Sequence, residues 1–427
     1  MSNDISALAD IVTSAITVAQ FDKAVEAARK LSEMGASDQI PSRAVAQMLY
    51  ANGVTESALP LLRRMAQYQT DDHVPLYVLA HHAQKLGLEK EARRYQATAL
   101  ERAHTRIAQR LSDLASSAGP VLLGPWLGEP EFEVLYWIPF LRKVLSQYGI
   151  DPARCIAVSH GGASSWYAGL AARCWDVSEN SDAGTVTRLQ AERVAATGFT
   201  LQATIRSQDA AVVNACREAL GLDSVKVLHP LAMFDILHPY WAGQMPVEHA
   251  LAFLSPYPAN WKAAPEGAVP ACDIVSSFQQ RPYFVPSPLT ENFANSLAAA
   301  AGQLGRSLLD VSALVDGGAE NPFVPSPRDN VLALSTDDVS PELSLAAVAA
   351  TLGAGKVYMG TYGVGCFLAL AQGRPAFGAV YGAGTIVAAH TRLAEALLGS
   401  DTVRLHVLDV TDWDMWMAAL SAVEARV

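Results

Sequence analysis

The sequence predicts an α/β protein: two successive units of parallel sheet with crossover helices, preceded by an all-helical region. Three observations carry that expectation. Over residues 1–117 glycine and proline are sparse, and apolar residues recur at three and four positions, the spacing of amphipathic helices. From Gly119-Pro120 onward, short apolar runs alternate with helix-type segments, as strands alternate with crossover helices in a parallel sheet. A stretch without periodicity, LSPYPANWKAAPEGAVP at 254–270, then interrupts the alternation with four prolines and reads as a linker. The expected boundaries are 1–117, 118–266 and 267–427, with a cleft between the two α/β units.

Composition fits this plan. The chain has 427 residues, of which 51% are hydrophobic and 17% charged, enough for large buried cores. A net charge of -11 without a long basic run argues against nucleic acid as a partner. The five cysteines are scattered, with no CxxC pair, which suits a reducing compartment and speaks against a cysteine-based zinc site. MSNDISALAD lacks the basic-then-apolar order of a signal peptide, and no apolar run is long enough to span a membrane. The expectation is a cytoplasmic protein with no membrane span.

The helical region carries a repeat. Ala24, Ala58 and Ala92 are spaced by 34 residues, as are Gly53 and Gly87, and Ala46 and Ala80. A helix-turn-helix period of that length is the tetratricopeptide pattern, so the region reads as TPR-like, with units near 10–40, 41–74 and 75–108. Such arrays bind a polypeptide or another subunit. A plain helical packing domain is the alternative.

In the first α/β unit, Val121–Trp126 reads as a strand, Phe132–Tyr148 as a helix and Cys155–Ser159 as a second strand ending at His160-Gly161-Gly162. Ser164–Arg173 reads as a helix and Lys226–Leu228 as a strand. In the second unit, strands are expected at Cys272–Phe278, Leu308–Val315, Val331–Leu334, Val357–Met359, Phe377–Tyr381 and Val403–Leu408. Helices alternate with them near 289–304, 340–354, 365–372, 384–398 and 412–425.

The densest stretch is KVYMGTYGVGCFLALAQGRPAFGAVY at 356–381, which reads as strand, glycine turn, helix, strand. Glycines let backbone approach a ligand, and free N–H groups at a helix start attract anions such as a diphosphate. An ordinary strand-to-helix turn has the same signature. Other candidates stand at strand ends. Glu129 and Glu133 flank the start of the first crossover helix, where acids also complement the helix dipole. His160 suits either ligand binding or proton transfer. Trp166 and Tyr167 offer rings on which a ligand could stack, and on an apolar helix they equally suit the core. No HxH or HExxH cluster indicates a metal.

Two segments add a resemblance. Gly360-Thr361-Tyr362-Gly363, Leu368-Ala369, Gly373-x-Pro375 and the strand ending in Tyr381 resemble the donor-site segment of GT-B glycosyltransferases, heptosyltransferase-like members among them. GPWLGEPEFEVLYWIPFLRKV, followed by VSHGGASSWYAG, resembles a bacterial group of GT-B-like proteins with a Glu-x-Gly-Phe-Glu-(x)-Leu-Tyr-Trp-Ile-Pro signature and a downstream Ser-Arg-Gly-Gly…Trp-Tyr segment. The likeness covers roughly 120–415.

The resemblance implies two Rossmann-like domains in GT-B arrangement behind the TPR-like region, with the acceptor held by the first and a nucleotide-sugar donor by the second. It implies a metal-independent glycosyltransferase whose nucleotide sugar is a substrate, with no cofactor. Thr361, Tyr362, Gly363 and Gly365 are placed by the diphosphate, with Arg281, Tyr381 and His390 on the donor side. Gly161, Gly162, Trp166 and Tyr167 are placed on the acceptor side. Glu129, Glu133 and His160 are the catalytic candidates, because an inverting transfer needs a base near the acceptor hydroxyl. Glu129 matches the first glutamate of the signature, and Glu133 precedes Pro139 by the family's aspartate-to-proline spacing. The chain departs from the pattern at Val364, at Glu131 where the family has glycine, and at His160 where it has arginine. The implied function is transfer of a sugar to an acceptor, with a protein acceptor or partner presented through the helical repeats. A degenerate GT-B scaffold or binding module, and a nucleotide-sugar epimerase of the same fold, are the rival readings.

Overall fold

The computed structural model describes residues 2–17, 21–34, 46, 50, 51, 53, 55–69, 71–182, 184–198, 200–258, 261, 270–281, 283–314, 324–334, 344–382, 385–400 and 403–424. They divide into two compact units, Met1–Leu111 with Ile236–Ala250, and Ser112–Asp235 with Leu251–Val427.

The first unit is helical: α1 Ser2–Thr17, α2 Phe21–Glu33, α3 Thr55–Tyr68, α4 Val74–Lys85 and α5, which begins at Glu89 and runs to Ser116. Ala24, Ala46, Ala58, Ala80 and Ala92 are all fully buried, so only a small side chain fits at the positions that recur in the sequence. Gly53 and Gly87 have φ of 77° and 72°, a left-handed conformation at low cost only for glycine, and each precedes a helix. The later segment Ile236–Ala250 is tied in by polar contacts, with His73 Nε2 3.3 Å from the Ile236 carbonyl and the Tyr77 hydroxyl 2.9 Å from His249 Nδ1.

The second unit holds two all-parallel sheets. The first contains β1 Val121–Leu123, β2 Cys155–Ser159, β3 Arg173–Asp176 and β4 Lys226–Leu228, in the order β3-β2-β1-β4. The second contains β5 Ile274–Ser276, β6 Leu308–Asp310, β7 Val331–Ala333, β8 Val357–Thr361, β9 Ala376–Val380 and β10 Leu405–Asp409, in the order β10-β9-β8-β5-β6-β7. Both orders are Rossmann-like: the chain steps outward from its first strand, then crosses to the other side. Ligands in such sheets bind beyond the carboxyl ends of the strands at the switch point. Those points lie between β1 and β4 and between β5 and β8. The central strands β1, β2, β5 and β8 are buried along their whole length, as strands covered on both faces are. The second core gathers Ile274, Phe278, Phe293, Leu297, Met359 and Trp416, all buried.

Three local readings change. The expected helix at Ser164–Arg173 is a short 3-10 turn, Ala163–Tyr167, followed by β3. Gly169 at φ 76° ends the turn, and Arg173–Asp176 then pairs with Ile156–Ser159. The helix expected from Phe132 begins earlier, at Pro130–Phe132, passes through a π-turn at Glu133–Trp137, and continues as α6, Ile138–Tyr148; it is followed along the chain by α7 Thr185–Thr197, α8 Ser207–Ala219, α9 Leu231–Trp241, α10 Val247–Leu251 and α11 Pro288–Gln303. The Ile138 N–H reaches back to the Glu133 carbonyl, immediately before Pro139, which has no N–H to give. The expected linker falls largely outside the described residues. Its start packs on α6 and the π-turn: Ser255 N–H donates to the Pro139 carbonyl at 3.0 Å and the Tyr257 hydroxyl to the Val134 carbonyl at 2.8 Å.

Candidate functional site

The end of β1 carries three acids within five residues, and their surroundings differ. Glu129 is partly exposed, and its Oε1 accepts from the Thr200 hydroxyl at 2.7 Å. Burial and the neighbouring Glu131 carboxylate push Glu129 up from the usual carboxylate range, against the Thr200 hydrogen bond and Arg281. Glu131 is buried. Glu133 is fully enclosed: its Oε1 accepts from Ser159 at 2.6 Å and from Tyr167 at 2.5 Å. Glu133 therefore stands apart from any surface a substrate reaches.

The Glu129 loop is braced from behind. Gln202 Oε1 accepts from the Leu127 N–H at 2.8 Å, while its Nε2 donates to the Pro125 carbonyl at 2.8 Å and to Asp209 Oδ1 at 3.0 Å. Asp209 also takes Arg193 at 2.5 Å and the Arg206 N–H at 2.8 Å, and His229 Nε2 lies 3.4 Å away. Burial raises the Asp209 carboxyl, but these partners outweigh it and hold it at about 2.

The second sheet supplies the facing wall. After β5, Thr361 Oγ1 accepts from the Gln279 N–H at 2.9 Å, joining the ends of β5 and β8. A helix, α13 Val364–Ala371, starts directly after the turn. Gly363 has φ 147°, a glycine-only conformation, and a Cβ there would stand 3.2 Å from Glu131 Oε1. Gly365 is glycine for a different reason: a Cβ would lie 2.5 Å from Cζ of Tyr358, whose hydroxyl donates to the Thr361 carbonyl at 2.9 Å. Ser277, Gln279, Arg281, Val348, Tyr358, Thr361, Tyr362, Gly363, Val364 and Gly365 line one pocket.

The two walls meet in an ion pair. Arg281, 11% exposed, places NH2 2.7 Å from Glu131 Oε1. Tyr283 stands beside it, its hydroxyl 3.6 Å from the Cβ position of Gly363. Of the sequence candidates, the structure thus brings Glu129, Arg281, Thr361, Gly363 and Gly365 to one cleft. Tyr362 is buried beneath it, its ring edge-on to Tyr283 with centroids 5.5 Å apart.

Other candidates lie elsewhere. His160 is buried, Nε2 3.4 Å from the Gly128 carbonyl, and burial holds it below the usual histidine range, hence neutral. The Gly161 carbonyl accepts from the Leu345 and Ala346 N–H groups at 3.1 and 3.2 Å, at the start of α12, Ser344–Ala354. Gly161 has φ 70°, and a Cβ there would strike Leu345 Cδ1 at 2.7 Å. The Gly162 N–H donates to Asp176 at 2.8 Å. Trp166 and Tyr167 are core residues, at 0% and 1% exposure, so neither offers a ring face to a sugar. Tyr381 packs on the second core, and its N–H donates to the Tyr283 carbonyl at 2.7 Å. His390, on α14 Thr385–Leu398, meets the rings of Phe132 and Tyr136 edge-on at 5.1 and 5.6 Å. Burial pushes His390 down to about 4.

Sequence reasoning missed Tyr283, Gln279, Thr200 and Gln202 and saw Glu131 only as a departure from a pattern. Arg281 and Tyr283 lie in the loop after β5, which ends at Ser276, and that position is the local signal that points to them. Among the described residues, no three His, Cys, Asp or Glu side chains are grouped as a metal site. No helix among them is long and apolar enough to cross a membrane.

The enclosure of Glu133 has a measurable effect. Burial, partly offset by Ser159 and Tyr167, pushes its carboxyl up to about 8 from an ordinary 4.5. The folded protein then holds a proton that the unfolded chain releases, so the contribution of this group to stability is greatest below pH 4.5 and falls as pH rises toward 8. Glu133→Gln keeps the acceptor for Ser159 and Tyr167 and removes the ionisation. Its unfolding free energy, from urea titration, should exceed that of the parent by a margin that grows between pH 5 and 8, on the order of a few kcal/mol. Parallel pH curves for the two proteins would contradict the assignment.

No protein-family model matches the chain, and no curated protein matches it in sequence. Its fold is similar to solved glycosyltransferases. A glycosyl transferase family 9 protein from Veillonella parvula is 10% identical, with 73% of this chain and 91% of that one covered and a TM-score of 0.39. The E. coli heptosyltransferase WaaC with ADP is 15% identical over 70% of this chain and 99% of that one, TM-score 0.36. An O-GlcNAc transferase mutant from Thermobaculum terrenum is 14% identical over 100% of this chain and 90% of that one, TM-score 0.27.

Proposed function

We propose that the chain is a GT-B glycosyltransferase that takes a sugar from a nucleotide-activated donor. The observation that carries this reading is the contact of Glu131, in the loop after β1 that also carries Glu129, with Arg281 and the Gly363 turn, in the loops after β5 and β8. Each set stands at the switch point of a Rossmann-like sheet, where ligands of such sheets bind. Arg281 and the first N–H groups of α13 suit the diphosphate of a leaving nucleotide. Glu129, partly exposed and raised toward neutrality, suits the base that takes the acceptor proton. A carboxylate and an arginine cover both ends of the transfer, so the reading is metal-independent. The helical unit, with its recurring buried alanines, supports a TPR-like role in presenting a protein acceptor or partner.

The test is calorimetric binding of nucleoside diphosphates and nucleotide sugars to the full chain in EDTA, followed by assay of diphosphate release from the donor that binds best. At 100 times its dissociation constant, a ligand adds about 2.7 kcal/mol to stability, so a thermal shift serves as the screen. Binding and release in EDTA are expected. A requirement for magnesium or manganese would remove the metal-independent mechanism, and no binding by any nucleotide would remove the donor reading. One observation favours a second reading, a binding module without turnover: the carboxylate of Glu131 already occupies the turn.

A further inference from the structure

We propose that Glu131 is an internal occupant of the anion corner made by Arg281 and the Gly363 turn, and that a phosphate-bearing ligand binds there by displacing it. The inference rests on the donor-site reading above and concerns how that site is kept closed.

Glu131 Oε1 lies 2.7 Å from Arg281 NH2 and 3.2 Å from where a Cβ on Gly363 would stand. It therefore sits at the start of α13, against the positive end of that helix, in the place where a phosphate oxygen would satisfy the same groups. Phosphate and carboxylate cannot share this corner. They fill the same volume and carry the same sign, and Arg281 is the cation both would use. The occupant is also poorly anchored. Its Oε2 is buried with no hydrogen-bond partner among the described residues, and a buried acceptor without a donor is a liability to the state that holds it. Repulsion adds to this, because Glu131 contributes to the upward shift of Glu129. Glu131 grows from the first sheet and Arg281 from the second, so displacement also breaks a link between them.

The probe is inorganic pyrophosphate, titrated by calorimetry into the full chain. Glu131→Gln removes the charge and keeps the shape, and pyrophosphate should bind it at least tenfold more tightly than the parent, about 1.4 kcal/mol. Adding Arg281→Met to Glu131→Gln should abolish that gain. Tight binding by the double variant would put the anion elsewhere and overturn the proposal. Equal affinity of the parent and Glu131→Gln would also overturn it while leaving the donor site standing. Weaker binding by Glu131→Gln would mean that the carboxylate holds Arg281 in place for the anion, which is the opposite role. If pyrophosphate and nucleoside diphosphates bind neither protein, the donor-site reading itself falls. Should Glu131→Gln fail to fold, Glu131→Asp withdraws the carboxylate by one methylene; tighter binding is again expected, and unchanged or weaker binding again refutes.

Discussion

Glu129→Gln is expected to lower diphosphate release from the preferred nucleotide sugar by about 10²–10⁴-fold, the range for loss of a general base. The substitution is close to isosteric. Gln keeps an oxygen for the Thr200 hydroxyl, which now sits 2.7 Å from Oε1, so the loop keeps its position. What disappears is the capacity to take a proton. Burial and Glu131 raise the Glu129 carboxyl, and a base with its pKa nearer the working pH removes a hydroxyl proton more readily than an ordinary carboxylate. Donor affinity should change far less than turnover, because Arg281 and the Gly363 turn lie on the other wall. Turnover within a few-fold of the parent would exclude Glu129 as the base. Loss on Glu133→Gln without loss on Glu129→Gln would transfer the role to a residue that has no exposed surface.

Asp209→Ala should cost about 3–5 kcal/mol, the penalty for removing one partner of a buried pair. Arg193 is 2% exposed and would keep its charge in the interior with no carboxylate to meet it. Asp209→Asn should cost less, since its one oxygen still accepts from Arg193 and Gln202, while its amide nitrogen gives up the bond from the Arg206 N–H. The damage reaches the cleft, because Asp209 fixes Gln202 and Gln202 holds the backbone at Pro125 and Leu127, just before Glu129. Urea midpoints measure the loss, and a change below about 1 kcal/mol for Asp209→Ala would show that solvent reaches Arg193.

Much of the parallel architecture was legible because its strands are short apolar runs bounded by polar turns. Cys155–Ser159 and Lys226–Leu228 are strands over the same residues that pattern alone suggests. Arg173–Asp176 was illegible: RCWD has no strand periodicity, and only pairing with Ile156–Ser159 makes it extended. The packing of Ile236–Ala250 with the N-terminal helices was hidden for a similar reason, since its partners His73 and Tyr77 are far away in sequence. In the site, position at a strand end identifies Glu129 and Arg281. It does not reveal that Glu133 turns inward to Ser159 and Tyr167, or that Glu131 crosses to Arg281. Those are tertiary choices among three acids that look alike in the chain.

The carbonyl of Gly161, in the first sheet's loop, receives the N–H groups of Leu345 and Ala346, the opening residues of α12 in the second half. Those donors have no carbonyl of their own helix to pair with. They are therefore shielded from water only while the two sheets stand together, and they become labile to deuterium once the sheets part. Their protection factor is a gauge of how often the cleft gapes, in free-energy units, and it needs no substrate, label or assay of turnover. A compound that clamps both walls would slow these two protons selectively, leaving amides inside either sheet at their own pace.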